Sequence, residues 1–167
     1  ISAKRIKQLE DEGVSDPDVA YIEALYDEEL VFTDRWIGKL LDGLNARFGA
    51  DRSVVAVTAD HGEYFHERGR FFHGKDVYQA LVHVPLVITG AIDPGLRGTV
   101  IEAAVETRSL PRTLLGMLGS SLGSSGGFGG DDLLALDPKA RTPVFSEGSH
   151  AKGPDARKLA VVLDGWK

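Results

Sequence analysis

The sequence contains no cysteine, so disulfides and thiolate metal sites are excluded, and any metal must be held by oxygen or imidazole. It has no long apolar run either. No stretch approaches the roughly 18 residues that a membrane-spanning helix needs, and residues 1–12 carry no signal-peptide pattern. Basic residues are outnumbered by acidic ones, 19 to 25, for a formal net charge of -6. Nucleic acid is therefore not the expected partner, because such affinity rests on lysine and arginine displacing counterions from phosphates, and no basic run is present. An initiator methionine is also missing: the chain opens at Ile1 in a charged, helix-like stretch, as expected of the C-terminal part of a longer protein. What is present, 43% hydrophobic and 26% charged residues over 167 positions, is the composition of a soluble globular domain.

The strongest periodic segment runs through Ile22, Tyr26, Leu30, Thr33, Ile37, Leu41 and Leu44 at spacings of three and four, widened by Leu25, Phe32, Trp36 and Leu40. That pattern predicts a long helix buried along one side, with Asp16 as N-cap, Pro17 at the first helical position and Gly49 past the end. Residues 53–59, Ser-Val-Val-Ala-Val-Thr-Ala, predict a strand buried on both faces. A short helix over Val77 to Val82 leads to a second strand, Val84 to Thr89, with Pro85 near its start. Leu110 to Leu118 predicts a helix ended by Gly119. Residues 119–130, nearly all glycine and serine, are expected to form a mobile loop, and Pro143–Ser146 and Leu159–Leu163 two short strands. The expected organisation is an α/β layer over 1–118, the loop over 119–130 and the start of a small β subdomain over 131–167.

The candidate chemistry lies between Asp60 and His73. On a strand, adjacent Asp60 and His61 would face opposite ways. On the turn after a strand both can converge on one ion, with Gly62 letting the backbone turn away. A carboxylate beside an imidazole suits a divalent cation. His73 follows two phenylalanines, a setting that also suits a satisfied core histidine, and His66 and Glu67 are expected on a solvated helical face.

Several segments in series resemble the sulfatase family of the alkaline-phosphatase-like superfamily. Val57-Thr58-Ala59-Asp60-His61-Gly62-Glu63 is similar to that family's Ser-Asp-His-Gly-Glu strand end, and Tyr26–Leu30 with Asp34–Leu41 to the helix before it. Gly69 through His73-Gly74, Val77-Tyr78 and Val84-Pro85-Leu86 follow in the family's order, then Leu110–Leu115 and Pro143–Glu147. The resemblance covers the chain from about Tyr21 onward. His73 stands where many relatives carry lysine; Arg68 replaces a common histidine, and Gln79-Ala80 a pair of glutamates. The family's Cys-x-Pro-x-Arg or Ser-x-Pro-x-Arg nucleophile segment is absent, and Ser109-Leu110-Pro111-Arg112 has neither its spacing nor its position.

The resemblance implies a partial alkaline-phosphatase-like fold, a mixed sheet flanked by helices with short C-terminal strands. It also implies a sulfuric ester hydrolase acting on a small sulfate ester or a glycan. Asp60 and His61 would ligate a divalent metal, calcium on family grounds, although imidazole also suits zinc or manganese. His73 would bind a sulfate oxygen or act as general acid, the former being favoured. The nucleophile, a formylglycine, is expected in a missing upstream segment, so the chain alone is expected to be inactive. The partner would be the missing N-terminal part of the same protein, and an exposed sheet edge would allow self-association. Two alternatives share these residues: a phosphodiesterase, phosphonate monoester hydrolase or phosphotransferase of the same superfamily, and a noncatalytic α/β binding or assembly module. The compartment is not legible.

Overall fold

A computed structural model describes residues 2–74, 76–120, 128–137, 141–149 and 157–163. Helix α1, Ala3–Glu12, starts at Ser2, whose side chain accepts a hydrogen bond from the Arg5 amide. Helix α2 spans Asp16–Phe48. Its N-cap is Ser15 rather than the expected Asp16. Ser15 is extended, its hydroxyl accepts from the Asp18 amide, and the Asp18 carboxylate accepts from the Ser15 amide. This reciprocal box satisfies two donors and moves Pro17 one place further into the first turn. The Ser15 hydroxyl, which donates to the Asp18 carboxylate, and then the Ser15 amide hold the Asp18 carboxyl below its ordinary value. At the other end Gly49, with φ of 86°, bonds back to the Asn45 carbonyl.

Six strands follow in three antiparallel pairs, in place of one mixed sheet among the described residues. Strand β1, Val54–Thr58, pairs with β4, Leu86–Gly90, in a register that sets Val54 opposite Gly90 and Thr58 opposite Leu86. Strands β2, Tyr64–Phe65, and β3, Phe71–Phe72, form a tight hairpin that the sequence pattern did not announce. Strands β5, Val144–Ser149, and β6, Arg157–Val162, make a C-terminal hairpin. Helix α3 is only Gln79–Val82, two residues later than expected, and β4 begins after Pro85, which has no amide hydrogen for the ladder.

The buried core lies where α1 and the start of α2 meet the small hairpin. Ile6, Leu9, Ile22 and Phe71 pack together, with Val14, Val19 and Phe65 around them. Each of the four buried side chains contributes about 1.5–3 kcal/mol. Tyr26 meets Phe65 edge to face at 5.1 Å. Beyond Tyr26 the expected burial of α2 does not hold: Leu30, Phe32, Trp36 and Leu40 are exposed, and Ile22 is the one buried residue of the helix. The periodicity is real, but no described element covers that stripe. The same holds for β1, expected to be buried on both faces. Val57 and its cross-strand partner Val87 are exposed, because two strands without a layer on that side leave that face open, and the opposite face is only half-buried.

Helix α4, Leu110–Met117, carries Pro111 in its first turn. Residues 128–137 return onto it. Thr113, 1% exposed, donates to the Ser109 carbonyl and accepts from the Leu133 amide, both at 2.9 Å, and Leu133 is buried. Most of the expected glycine-serine loop, residues 121–127, lies outside the described residues, and Gly130 is tied to Arg112 through its carbonyl. The described residues contain no helix long and apolar enough to cross a membrane.

Candidate metal and anion site

Strand β1 ends at Thr58, and the chain leaves it through Ala59 into Asp60, His61 and Gly62. Gly62 fixes the path. Its amide donates to the Leu81 carbonyl at 2.8 Å, and a Cβ on it would lie 2.0 Å from the Ala80 carbonyl oxygen. Only glycine allows so close an approach to α3. The turn this creates keeps Asp60 and His61 on the same side: Asp60 Oδ2 stands 3.6 Å from His61 Nε2. The other Asp60 oxygen accepts from the His61 amide at 3.0 Å.

The His61 ring has a defined hydrogen-bond polarity. Nδ1 lies 2.9 Å from the Gly62 carbonyl, an acceptor, so Nδ1 carries the proton and Nε2 in the neutral ring presents its lone pair. That lone pair faces a carboxylate oxygen, also an acceptor. At 3.6 Å the two form an ion pair when the ring is protonated and stand as neighbouring acceptors when it is neutral. The separation also suits two ligands of one divalent ion at metal–ligand distances of about 2.0–2.4 Å. The backbone carbonyl on Nδ1 matches the way metal-bound histidines are usually oriented. Asp60, with 88% of its side chain exposed, is open to an ion. Among the described residues no third histidine or carboxylate completes the set.

His73 arrives from the other side. Hairpin β2–β3 and the left-handed Phe72, at φ of 67°, bring its ring over His61, stacked with centroids 3.8 Å apart and planes 30° apart. A positive φ at phenylalanine is uncommon and is held here by the surrounding structure. His73 is not a satisfied core residue: 45% of its side chain is exposed. Its Nδ1 lies 3.1 Å from Glu63 Oε2, which directs Nε2 away from the carboxylate. The other Glu63 oxygen is buried and has no hydrogen-bond partner among the described residues.

Glu63 was read only as part of the family-like strand end and was given no role at the site. The signal was a carboxylate ten residues before a histidine across a segment able to fold back. Asp76 was missed as well. Its side chain is 5% exposed because Arg70 and Lys158 lie over it, each bonded to one carboxylate oxygen. The Lys158 hydrogen bond, aided by the charges of Arg70 and Lys158 and opposed by desolvation, holds the Asp76 carboxyl below its ordinary value. Beside it, burial pushes the Tyr64 hydroxyl up, and the Asp76 charge adds to that. Of His66 and Glu67, expected on a solvated helical face, Glu67 is exposed and begins a single 3-10 turn, Glu67–Gly69, and His66 stands just before it. His66 takes a left-handed φ of 79° and stacks on Phe71 at 5.3 Å, remote from the His61–His73 stack in its contacts.

The sulfatase family profile matches residues 7–120. Among individual proteins, the chain is similar to arylsulfatase K of Mus musculus, 29% identical over 106 residues, or 63% of this chain and 18% of that protein. It is 28% identical to arylsulfatase K of Danio rerio over 137 residues, 81% of this chain and 25% of the relative. Human arylsulfatase K is 28% identical over 106 residues, 63% of this chain and 19% of that protein. The matched part of the chain thus spans 18% to 25% of the length of these relatives. No solved structure matches it. The profile covers most of the chain, including the Asp60–His73 segment: the chain belongs to the sulfatase family.

Proposed function

We propose that this chain supplies part of the metal and anion site of a metal-dependent sulfatase. The observation that carries this reading is the pair of acceptors, Asp60 Oδ2 and His61 Nε2, facing each other at 3.6 Å beside a second, stacked imidazole. Asp60 and His61 would hold a divalent cation, calcium by family or manganese or zinc by the imidazole. When bound, that cation would draw charge from sulfuryl oxygens as the ester bond breaks. Metal binding requires a neutral His61. Glu63 accepts the Nδ1 proton of His73, so that Nε2–H points outward to donate to a nonbridging oxygen of a sulfate ester. An alkaline-phosphatase-like arrangement would unite these residues with further aspartates and the nucleophile. No residue of this chain can become the formylglycine, since it has no cysteine and no Ser-x-Pro-x-Arg. Too few reacting groups are then held together to lower the barrier appreciably.

Calorimetric titration of the chain with calcium, manganese and zinc tests the metal assignment. With two protein ligands, calcium should bind weakly, with a Kd on the order of 10⁻³ M or above. Asp60→Asn and His61→Ala should each abolish binding of whichever ion binds, without unfolding the chain. Unchanged binding in both variants would dismiss the pair as ligands. An aryl sulfate should not be turned over by this chain, and metal-dependent hydrolysis would overturn that expectation. If the complete enzyme tolerated both substitutions with full activity, a noncatalytic scaffold would be the better reading.

A further inference from the structure

We propose that Asp76, clamped between Arg70 and Lys158, is a positioning residue that makes the placement of His73 depend on the C-terminal hairpin β5–β6. Arg70 lies three residues before His73 and Asp76 three after it. Their ion pair therefore closes the strand end and the turn into a ring with His73 at its middle. The second Asp76 oxygen takes Lys158 of β6, 82 residues along the chain. Both carboxylate oxygens are thereby occupied, and Asp76, 5% exposed, is not available as a metal ligand or proton acceptor.

The hairpin that delivers Lys158 is itself seated on this turn. A Cβ on Gly148 of β5 would lie 3.1 Å from Val77 Cγ1 and 3.8 Å from the Asp76 carbonyl oxygen, so β5 packs against the Val77 side chain. The Phe145 amide donates to Glu106 at 2.8 Å, which anchors the start of β5 to the segment before α4. The ring nitrogen of His73 is oriented by Glu63, and the Arg70–Asp76 pair closes the segment that carries it. Losing the Lys158 contact frees one oxygen of the clamp and lets the turn carrying His73 swing off His61. The hairpin acts on the site through this carboxylate and touches no reacting atom.

The consequence for anion binding rests on the proposed role of His73; the mechanical coupling does not. Both are tested on the full 167-residue chain. Histidine-ring and amide NMR spectra are recorded for the wild type, Lys158→Met and Lys158→Arg, since the half-exposed Lys158 is replaced more safely than Asp76. Lys158→Met should shift the His73 ring resonances and speed amide exchange over residues 72–74 by roughly 5- to 30-fold, with Ile22 unaffected. Lys158→Arg should restore both. Wild-type behaviour of residues 72–74 in Lys158→Met would overturn the coupling, and so would an equal acceleration at Ile22, which signals general loosening. Sodium sulfate is then added as probe. A wild-type His73 that ignores sulfate removes the anion-binding role of His73 and leaves the coupling judged on exchange alone. A wild-type response that weakens several-fold in Lys158→Met supports both.

Discussion

The segment from Asp60 to Val82 and the long helix α2 are held in place by different means. In the first, nearly every turn is fixed by a specific polar contact: Gly62 to Leu81, His73 to Glu63, Asp76 to Arg70 and Lys158. In the second, one capping box and backbone hydrogen bonds define 33 residues whose apolar stripe is exposed beyond its first turns. Directional contacts fix geometry without a surrounding core, whereas hydrophobic burial needs an opposing surface. The site segment is therefore fixed by directional contacts, one of them from 82 residues along the chain, and α2 is specified only as a helix with a face to cover.

That contrast can be broken most sharply at Gly62. Gly62→Ala places a methyl group 2.0 Å from a backbone oxygen of α3, so we expect a loss of about 3 kcal/mol, or outright failure of the site segment to fold, in urea denaturation. A variant as stable as wild type would mean that the local contacts are not restrictive. Next come two polar substitutions, each expected to cost about 1–3 kcal/mol. Thr113→Val leaves the buried Leu133 amide without its acceptor. Asp76→Asn removes the charge from the clamp.

The Asp76 effect has a defined pH signature. Its carboxyl is lower in the folded chain than its ordinary 3.8. The stability it contributes is therefore fully present above that ordinary value and is lost as the pH falls through the lower folded value. The difference in unfolding free energy between wild type and Asp76→Asn should accordingly shrink below about pH 3.8. A gap that stays constant into acid would assign the effect to packing. The smallest change is expected on α2. Trp36, 53% exposed, touches Phe32 and Lys39 of its own helix, so Trp36→Ser should alter stability by less than about 0.5 kcal/mol. The same variant should reduce self-association in sedimentation at high concentration, since the stripe is the largest apolar surface left open on the helix. A large loss of stability instead would show that the helix face is already covered and that the two regions are not so different.

Much of this was legible in the residues. The bounds of α2 were read from Asp16, Pro17 and Gly49 to within one position, because caps act through neighbouring atoms. Asp60, His61 and His73 were recognisable as a set, and the chain places the two imidazoles in contact. Burial was misjudged wherever periodicity stood in for it, on the outer part of α2 and on the open face of β1. An apolar period tells which residues share a face, but not whether anything lies against that face. The hairpin β2–β3 was too short for any period to register, at two residues a strand. Glu63 and Asp76 were hidden for the same reason: their importance comes from partners that folding brings to them.

The sequence by itself determined the helices, the β-branched strand, the glycine that lets it turn, and the carboxylate and imidazole that follow. These depend on interactions within a few residues. Tertiary structure alone decided that His73 lies on His61, that Glu63 takes its ring nitrogen, and that Lys158 reaches a carboxylate 82 residues earlier. Contacts across such separations leave no local pattern, because they depend on where the whole chain returns.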